Sequence, residues 1–180
     1  WAAPTDQLLL EAGYILFSID NRGTPNRSVA FKTAFDRNFG KDEVTDQIAG
    51  VGYLKSLPYV DPARIGVTGW SNGGYMTLML LTAPDTPYAA GVAGAPVTDW
   101  SLYDTHYTER YMGLPQENEA DYEQSSPVTF AKNLRGNLLY MHGTGDDNVH
   151  YKNAEMLINE LIKHGKLFQL MIYPNRTHGI

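Results

Sequence analysis

The chain has 180 residues, with 14 Lys and Arg against 20 Asp and Glu, for a formal net charge of −6. That length suits one domain with a real core, and that charge argues against a nucleic-acid or anionic-membrane partner. The absence of cysteine excludes disulfides and thiolate metal sites, and the longest apolar runs, such as residues 76–81, are far too short to span a bilayer.

Residues 4–12 predict a helix with Leu8, Leu9 and Leu10 on its buried side, ended by Gly13. Residues 14–20 are almost continuously apolar and predict a strand in a sheet covered on both faces. A turn-rich loop follows over residues 21–25. Residues 28–37 predict a helix with Phe31 and Phe35 four apart on one face. Residues 43–57 predict another, with Ile48, Val51 and Leu54 at helical spacing and Pro58 as its stop. Residues 61–64 read as a turn, 65–70 as a strand, and 73–81 as a buried helix. Pro84 and Pro87 break the pattern. Residues 89–95 predict a short strand of small side chains, and residues 96–127 a long irregular stretch rich in Tyr, Asp and Glu. A short helix over 130–134, a strand over 137–142 and a loop over 143–147 come next. A long amphipathic helix over 148–164 is capped by Gly165, a last strand spans 168–173, and 174–180 close the chain. Strands alternating with helices predict an α/β fold with a mainly parallel sheet flanked by helices.

The stretch that organises the chain is Gly69-Trp70-Ser71-Asn72-Gly73-Gly74 between an apolar strand and an apolar helix. Gly-x-Ser-x-Gly in that context is the nucleophile-elbow pattern, with the serine at the apex of a strained turn. Side chains at positions 69 and 73 would collide where strand and helix cross. The N-terminal end of the helix faces the serine and favours an anion there. A phosphate-cradling loop fits less well, because no Lys follows the glycines.

A serine hydroxyl needs a base, and the base needs an orienting acid. His178 lies on the loop after the last strand and Asp146 on the loop after the strand before it. Ligands in open α/β sheets sit outside the carboxyl ends of the strands, where Ser71, Asp146 and His178 can meet. Their chain order, Ser then Asp then His, is that of the α/β-hydrolase fold. Competitors are His106, His142, His150 and His164, with Asp147 beside Asp146. His164 suits the last turn of a helix electrostatically, and His142 reads as buried structure. His142, Asp146, Asp147 and His150 form a weak metal candidate without a two-His helical motif or a calcium loop, and no metal or other cofactor is expected. Asp20 and Asp99 read as capping or loop-bracing groups.

Three motifs then carry a resemblance: Gly-Trp-Ser71-Asn-Gly-Gly-Tyr-Met, His142-Gly-Thr-Gly-Asp146-Asp-Asn-Val-His150, and Tyr173-Pro-Asn-Arg-Thr-His178-Gly-Ile. Together with Asp20-Asn-Arg-Gly23 and Ala95-Pro-Val-Thr-Asp-Trp100, they resemble the prolyl oligopeptidase family in its dipeptidyl peptidase IV branch. The bacterial members are nearest, through Trp-Ser-Asn and Met-Thr-Leu-Met-Leu-Leu. The resemblance covers essentially the whole chain and implies an α/β-hydrolase catalytic domain releasing N-terminal X-Pro or X-Ala dipeptides through an acyl-enzyme. It implies Ser71, Asp146 and His178 as the triad and the Asn72 backbone N–H as one oxyanion donor. It implies Val97, Trp100, Tyr103, Tyr107 and Val149 as walls of the pocket for the penultimate residue, and Asn148 as the holder of a substrate carbonyl. Flat aromatic walls suit a proline ring. Peptides with proline or alanine second are the implied partners, and a homodimer outside the cytoplasm, periplasmic or secreted, is the implied state of the parent. Residues 1–180 would be part of a catalytic domain. The first strands, an oxyanion tyrosine upstream of a Trp such as Trp1, a β-propeller and a closing helix would lie beyond them. Asn72 departs from the tyrosine common in relatives. Another serine hydrolase, such as an esterase or acylaminoacyl-peptidase, and a non-catalytic fragment are the alternatives.

Overall fold

A computed structural model describes residues 4–180. Trp1 lies outside the described residues. Four parallel strands form one sheet in sequence order: β1 (Gly66–Trp70), β2 (Ala90–Gly94), β3 (Asn137–Gly143) and β4 (Gln169–Tyr173). The register places Trp70 beside Gly94, Gly94 beside Met141, and Gly143 beside Tyr173. Parallel strands require crossover connections, and these are supplied by α4 (Asn72–Thr82), a mostly helical excursion over residues 95–136, and α7 (Lys152–Lys163). The main core joins Leu78, Leu81, Ala93, Leu138, Tyr140 and Leu157 from these elements.

The N-terminal part departs from expectation. Helix α1 (Pro4–Glu11) forms and closes as expected: Gly13 is left-handed at φ +86°, Tyr14 N donates to Leu9 O and Gly13 N to Leu10 O. Its leucines are not buried, with Leu8 67% and Leu10 45% exposed. Residues 14–20 are extended but join no sheet, because no strand among the described residues lies beside them to complete a hydrogen-bond ladder. A cleft of about 1280 Å³ separates them from β1, lined by Tyr14, Phe17 and Ile19 and by Val67 and Thr68, and it reaches Asn72. They are tied instead to α3 (Lys41–Lys55). Gln47 donates to the Ile19 carbonyl at 3.3 Å, and Arg22 makes a bidentate pair with Asp46. Gly40 N donates to Glu43 at 3.0 Å at the start of α3.

The helix expected over 28–37 shrinks to α2 (Val29–Lys32), capped by Ser28. Phe31 and Phe35 therefore separate: Arg27 lies over the Phe31 ring, and Phe35 packs with Phe39 and Tyr111. The stretch expected to be irregular, 96–127, holds a 3₁₀ turn (Trp100–Leu102), α5 (Thr105–Met112) and α6 (Glu119–Gln124). The Asp104 carboxylate caps α5 at Tyr107 N, 3.0 Å, and the rings of that helix pack on one another. The short helix near 130 is a longer 3₁₀ segment (Pro127–Asn133). Helix α7 begins four residues later than expected, because residues 147–150 form the turn around Asp146. Gly165 ends it in the left-handed region, φ +63°.

Candidate active site

Ser71 follows the last residue of β1 and precedes the first of α4, with φ 58° and ψ −116°. Positive φ costs a non-glycine residue free energy, and the surrounding backbone enforces it here. Ser71 N donates to Gly94 O at 2.8 Å, and Tyr75 N donates to Ser71 O at 2.9 Å. A Cβ at Gly69 would stand 2.2 Å from Gly73 O, so position 69 must be glycine. Position 73 differs from expectation, since a Cβ there meets nothing within 4 Å. The tight neighbour is Gly74, whose Cβ would stand 2.5 Å from Gly94 O where α4 crosses β2. Asn72 opens α4, so its N–H has no carbonyl one turn back within the helix.

The loop after β3 presents Asp146, which is 5% exposed. Its Oδ1 accepts from Asn148 N at 3.0 Å and Val149 N at 2.9 Å, which fixes the carboxylate plane. Its Oδ2 lies 2.8 Å from His178 Nδ1. His178, on the loop after β4, is tethered a second time. Trp70 Nε1 donates to the His178 carbonyl at 2.9 Å, and the two rings meet edge-on. That tether joins the residue beside Ser71 to the loop of the imidazole. Among the described residues no hydrogen bond links Ser71 Oγ to His178 Nε2; such contacts commonly tighten only when substrate binds.

The pocket candidates converge. Trp100 stacks on Tyr107 at 6.1 Å between centroids, and Tyr103 stands edge-on to both at 5.9 and 5.4 Å. Val97 and Val149 are 2% and 0% exposed and pack in the same cluster. Tyr103 Oη donates to Asn148 Oδ1 at 2.9 Å, which ties the β2 excursion to the Asp146 loop. Burial raises the phenol pKa of Tyr103 and Tyr107, so both are neutral donors at pH 7. Among the competitors, His106 and His150 are exposed, His164 lies at the end of α7 3.6 Å from Glu160, and Asp147 points to solvent. Asp99 caps the Trp100 turn through Ser101, and Asp20 is exposed 4.0 Å from Arg27. No group of three or more metal-ligating side chains converges among the described residues. Trp70 and His142 were not anticipated as part of this site. The four-residue spacing of His142 and Asp146 was a readable signal for the second.

A parallel sheet with a strained serine after one strand and an aspartate–histidine pair on the loops after two later ones defines an α/β-hydrolase. Comparison with known proteins is specific. Residues 2–180 match the prolyl oligopeptidase family. The chain is 42% identical over 176 residues to dipeptidyl peptidase 8 of mouse and of human, covering 96% of this chain and 20% of each relative. It superposes on the crystal structure of Porphyromonas gingivalis dipeptidyl peptidase 4 with a TM-score of 0.87 and 43% identity, over 89% of this chain and 23% of that one. The chain belongs to the prolyl oligopeptidase family, and it spans about a fifth of the length of these relatives. No described helix is long and apolar enough to cross a membrane.

Proposed function

We propose that these residues carry the catalytic centre of a serine exopeptidase that releases X-Pro or X-Ala dipeptides from peptide N-termini. The observation that carries the reading is the Asp146–His178 contact of 2.8 Å, on a loop fastened through Trp70 to the residue beside a positive-φ serine. In this reading His178 Nε2 takes the Ser71 proton as Oγ attacks the scissile carbonyl. Asp146 holds Nδ1–H and stabilises the imidazolium. The Asn72 N–H, at the positive end of α4, faces the developing oxyanion. His178 then protonates the leaving amine, and water cleaves the acyl-enzyme by the same steps in reverse.

Val97, Trp100, Tyr103, Tyr107 and Val149 form the pocket for the penultimate side chain. Flat rings give a proline large contact at small entropic cost. Asn148 turns Oδ1 to Tyr103, which leaves its amide N–H groups to hold a substrate carbonyl. The names of the relatives, dipeptidyl peptidases 4 and 8, support the choice of leaving unit. Residues 1–180 form part of a catalytic domain, and the intact protein works as a homodimer; both points rest on the family resemblance. The test compares Gly-Pro and acyl-ester chromogenic substrates in the intact protein, with fluorophosphonate labelling of Ser71. Dipeptide release with labelling supports the reading, and turnover of esters alone rejects it.

A further inference from the structure

Asp146 is held by more than His178. Three N–H groups hydrogen-bond to its buried carboxylate, and a fourth ring nitrogen, on His142, stands close to Oδ2. Oδ1 takes the backbone donors of Asn148 and Val149, and Oδ2 lies 2.8 Å from His178 Nδ1 and 3.2 Å from His142 Nε2. His142 sits on β3, wholly buried, and the serine-to-aspartate chemistry above makes no use of it. Its Nε2 also faces the Val149 carbonyl at 2.9 Å. Two acceptors on one ring nitrogen require that nitrogen to carry the proton. Nδ1 is then an acceptor, and the Tyr140 hydroxyl, 3.0 Å away, donates to it. The neighbours thus fix one tautomer.

We propose that Tyr140 and His142 are positioning residues for Asp146: the phenol sets the ring's proton on Nε2, and Nε2–H shares the carboxylate oxygen that His178 uses. The proposal rests on the assignment of Asp146 and His178 to catalysis made above. The groups around His142 are Asp146, His178, the Tyr140 phenol and the Tyr151 ring, which meets it edge-on at 5.6 Å. Burial lowers the His142 pKa and raises those of both tyrosines, so the pair acts through neutral dipoles. A neutral donor can share Oδ2 without repelling the imidazolium that forms on His178. Loss of that donor leaves more electron density for His178 Nδ1–H and strengthens the hold of His178 on its proton. It also removes one of the restraints on Oδ2.

The test uses the intact protein, with rates scaled to sites titrated by fluorophosphonate. His142→Phe is expected to lower kcat for a Gly-Pro chromogenic substrate about 10-fold or more, the scale of one hydrogen bond to a charged group, with KM nearly unchanged. The acid limb of its kcat/KM profile moves to higher pH. Tyr140→Phe moves both in the same direction by less, and His142→Gln, whose amide N–H can reach Oδ2, recovers most of the loss. Should His142→Phe fail to fold, the pH profile of Tyr140→Phe decides. Wild-type kcat and acid limb in the folded variants overturn the pairing. A wild-type protein whose serine neither labels nor turns over dipeptide substrates overturns the parent assignment, and this one with it.

Discussion

At His142 burial and partnership pull in opposite directions. Burial lowers its pKa and outweighs the Val149 carbonyl and the Asp146 carboxylate, which raise it. The unfolded chain, with an ordinary histidine pKa of about 6.5, binds the proton more tightly than the folded one. The neutral ring's contribution to stability is therefore complete above about pH 6.5 and is lost as pH falls toward the depressed folded value. The urea midpoint of the intact protein is expected to drop over that window, and the drop to flatten in His142→Gln. A midpoint with equal slope in both proteins would show that another group is responsible. The side chains of the proposed triad were readable as Ser, Asp and His in a characteristic order, each just after a strand. Trp70 was not, because its role is a single hydrogen bond to a carbonyl distant in sequence, and His142 was legible only as a buried strand residue four before Asp146.

The elbow shows how one element constrains another. Helix α4 can cross β2 only where Gly74 approaches Gly94 O, whereas Gly73 faces open space. Gly74→Ala is expected to destabilise by roughly 1–3 kcal/mol, the cost of overpacking against backbone. Gly73→Ala is expected to stabilise by up to about 1 kcal/mol, since alanine is the better helix former and meets no neighbour. Urea melts of the two variants check the opposite signs. The four paired strands were legible within about a residue because their apolar runs are bounded by turn residues. Helices α5 and α6 were not. Thr-His-Tyr-Thr-Glu-Arg-Tyr-Met opens on weak helix formers and lacks an aliphatic stripe, and it is held by the Asp104 cap and ring packing. Helix α7 begins late because the loop pinned by Asn148 N and Val149 N on Asp146 continues through residue 150.

Across the whole molecule the apolar surface is unevenly covered. Tyr14, Ile15, Leu16 and Phe17 are each at least 40% exposed, and β1 pairs only with β2 among the described strands. Apolar side chains beside an unpaired strand edge invite association. The 180-residue polypeptide on its own is expected to self-associate at micromolar concentration, read by light scattering after size exclusion. Phe17→Glu is expected to reduce that association, and a monodisperse monomer of the unsubstituted chain would contradict it. The apolar run of residues 14–20 was readable, and their lack of a ladder was not, because a strand exists only through a neighbour that its own residues do not specify.

The parallel run of the four strands also divides the molecule into two rims. Turns that leave the strands gather Ser71, Asp146 and His178, while turns that enter them, such as Gly165 to Leu167, open on the far side. Leu167 there is 91% exposed and outside the core. A fluorophore or affinity handle grafted at that corner would report on the protein without disturbing the proposed triad.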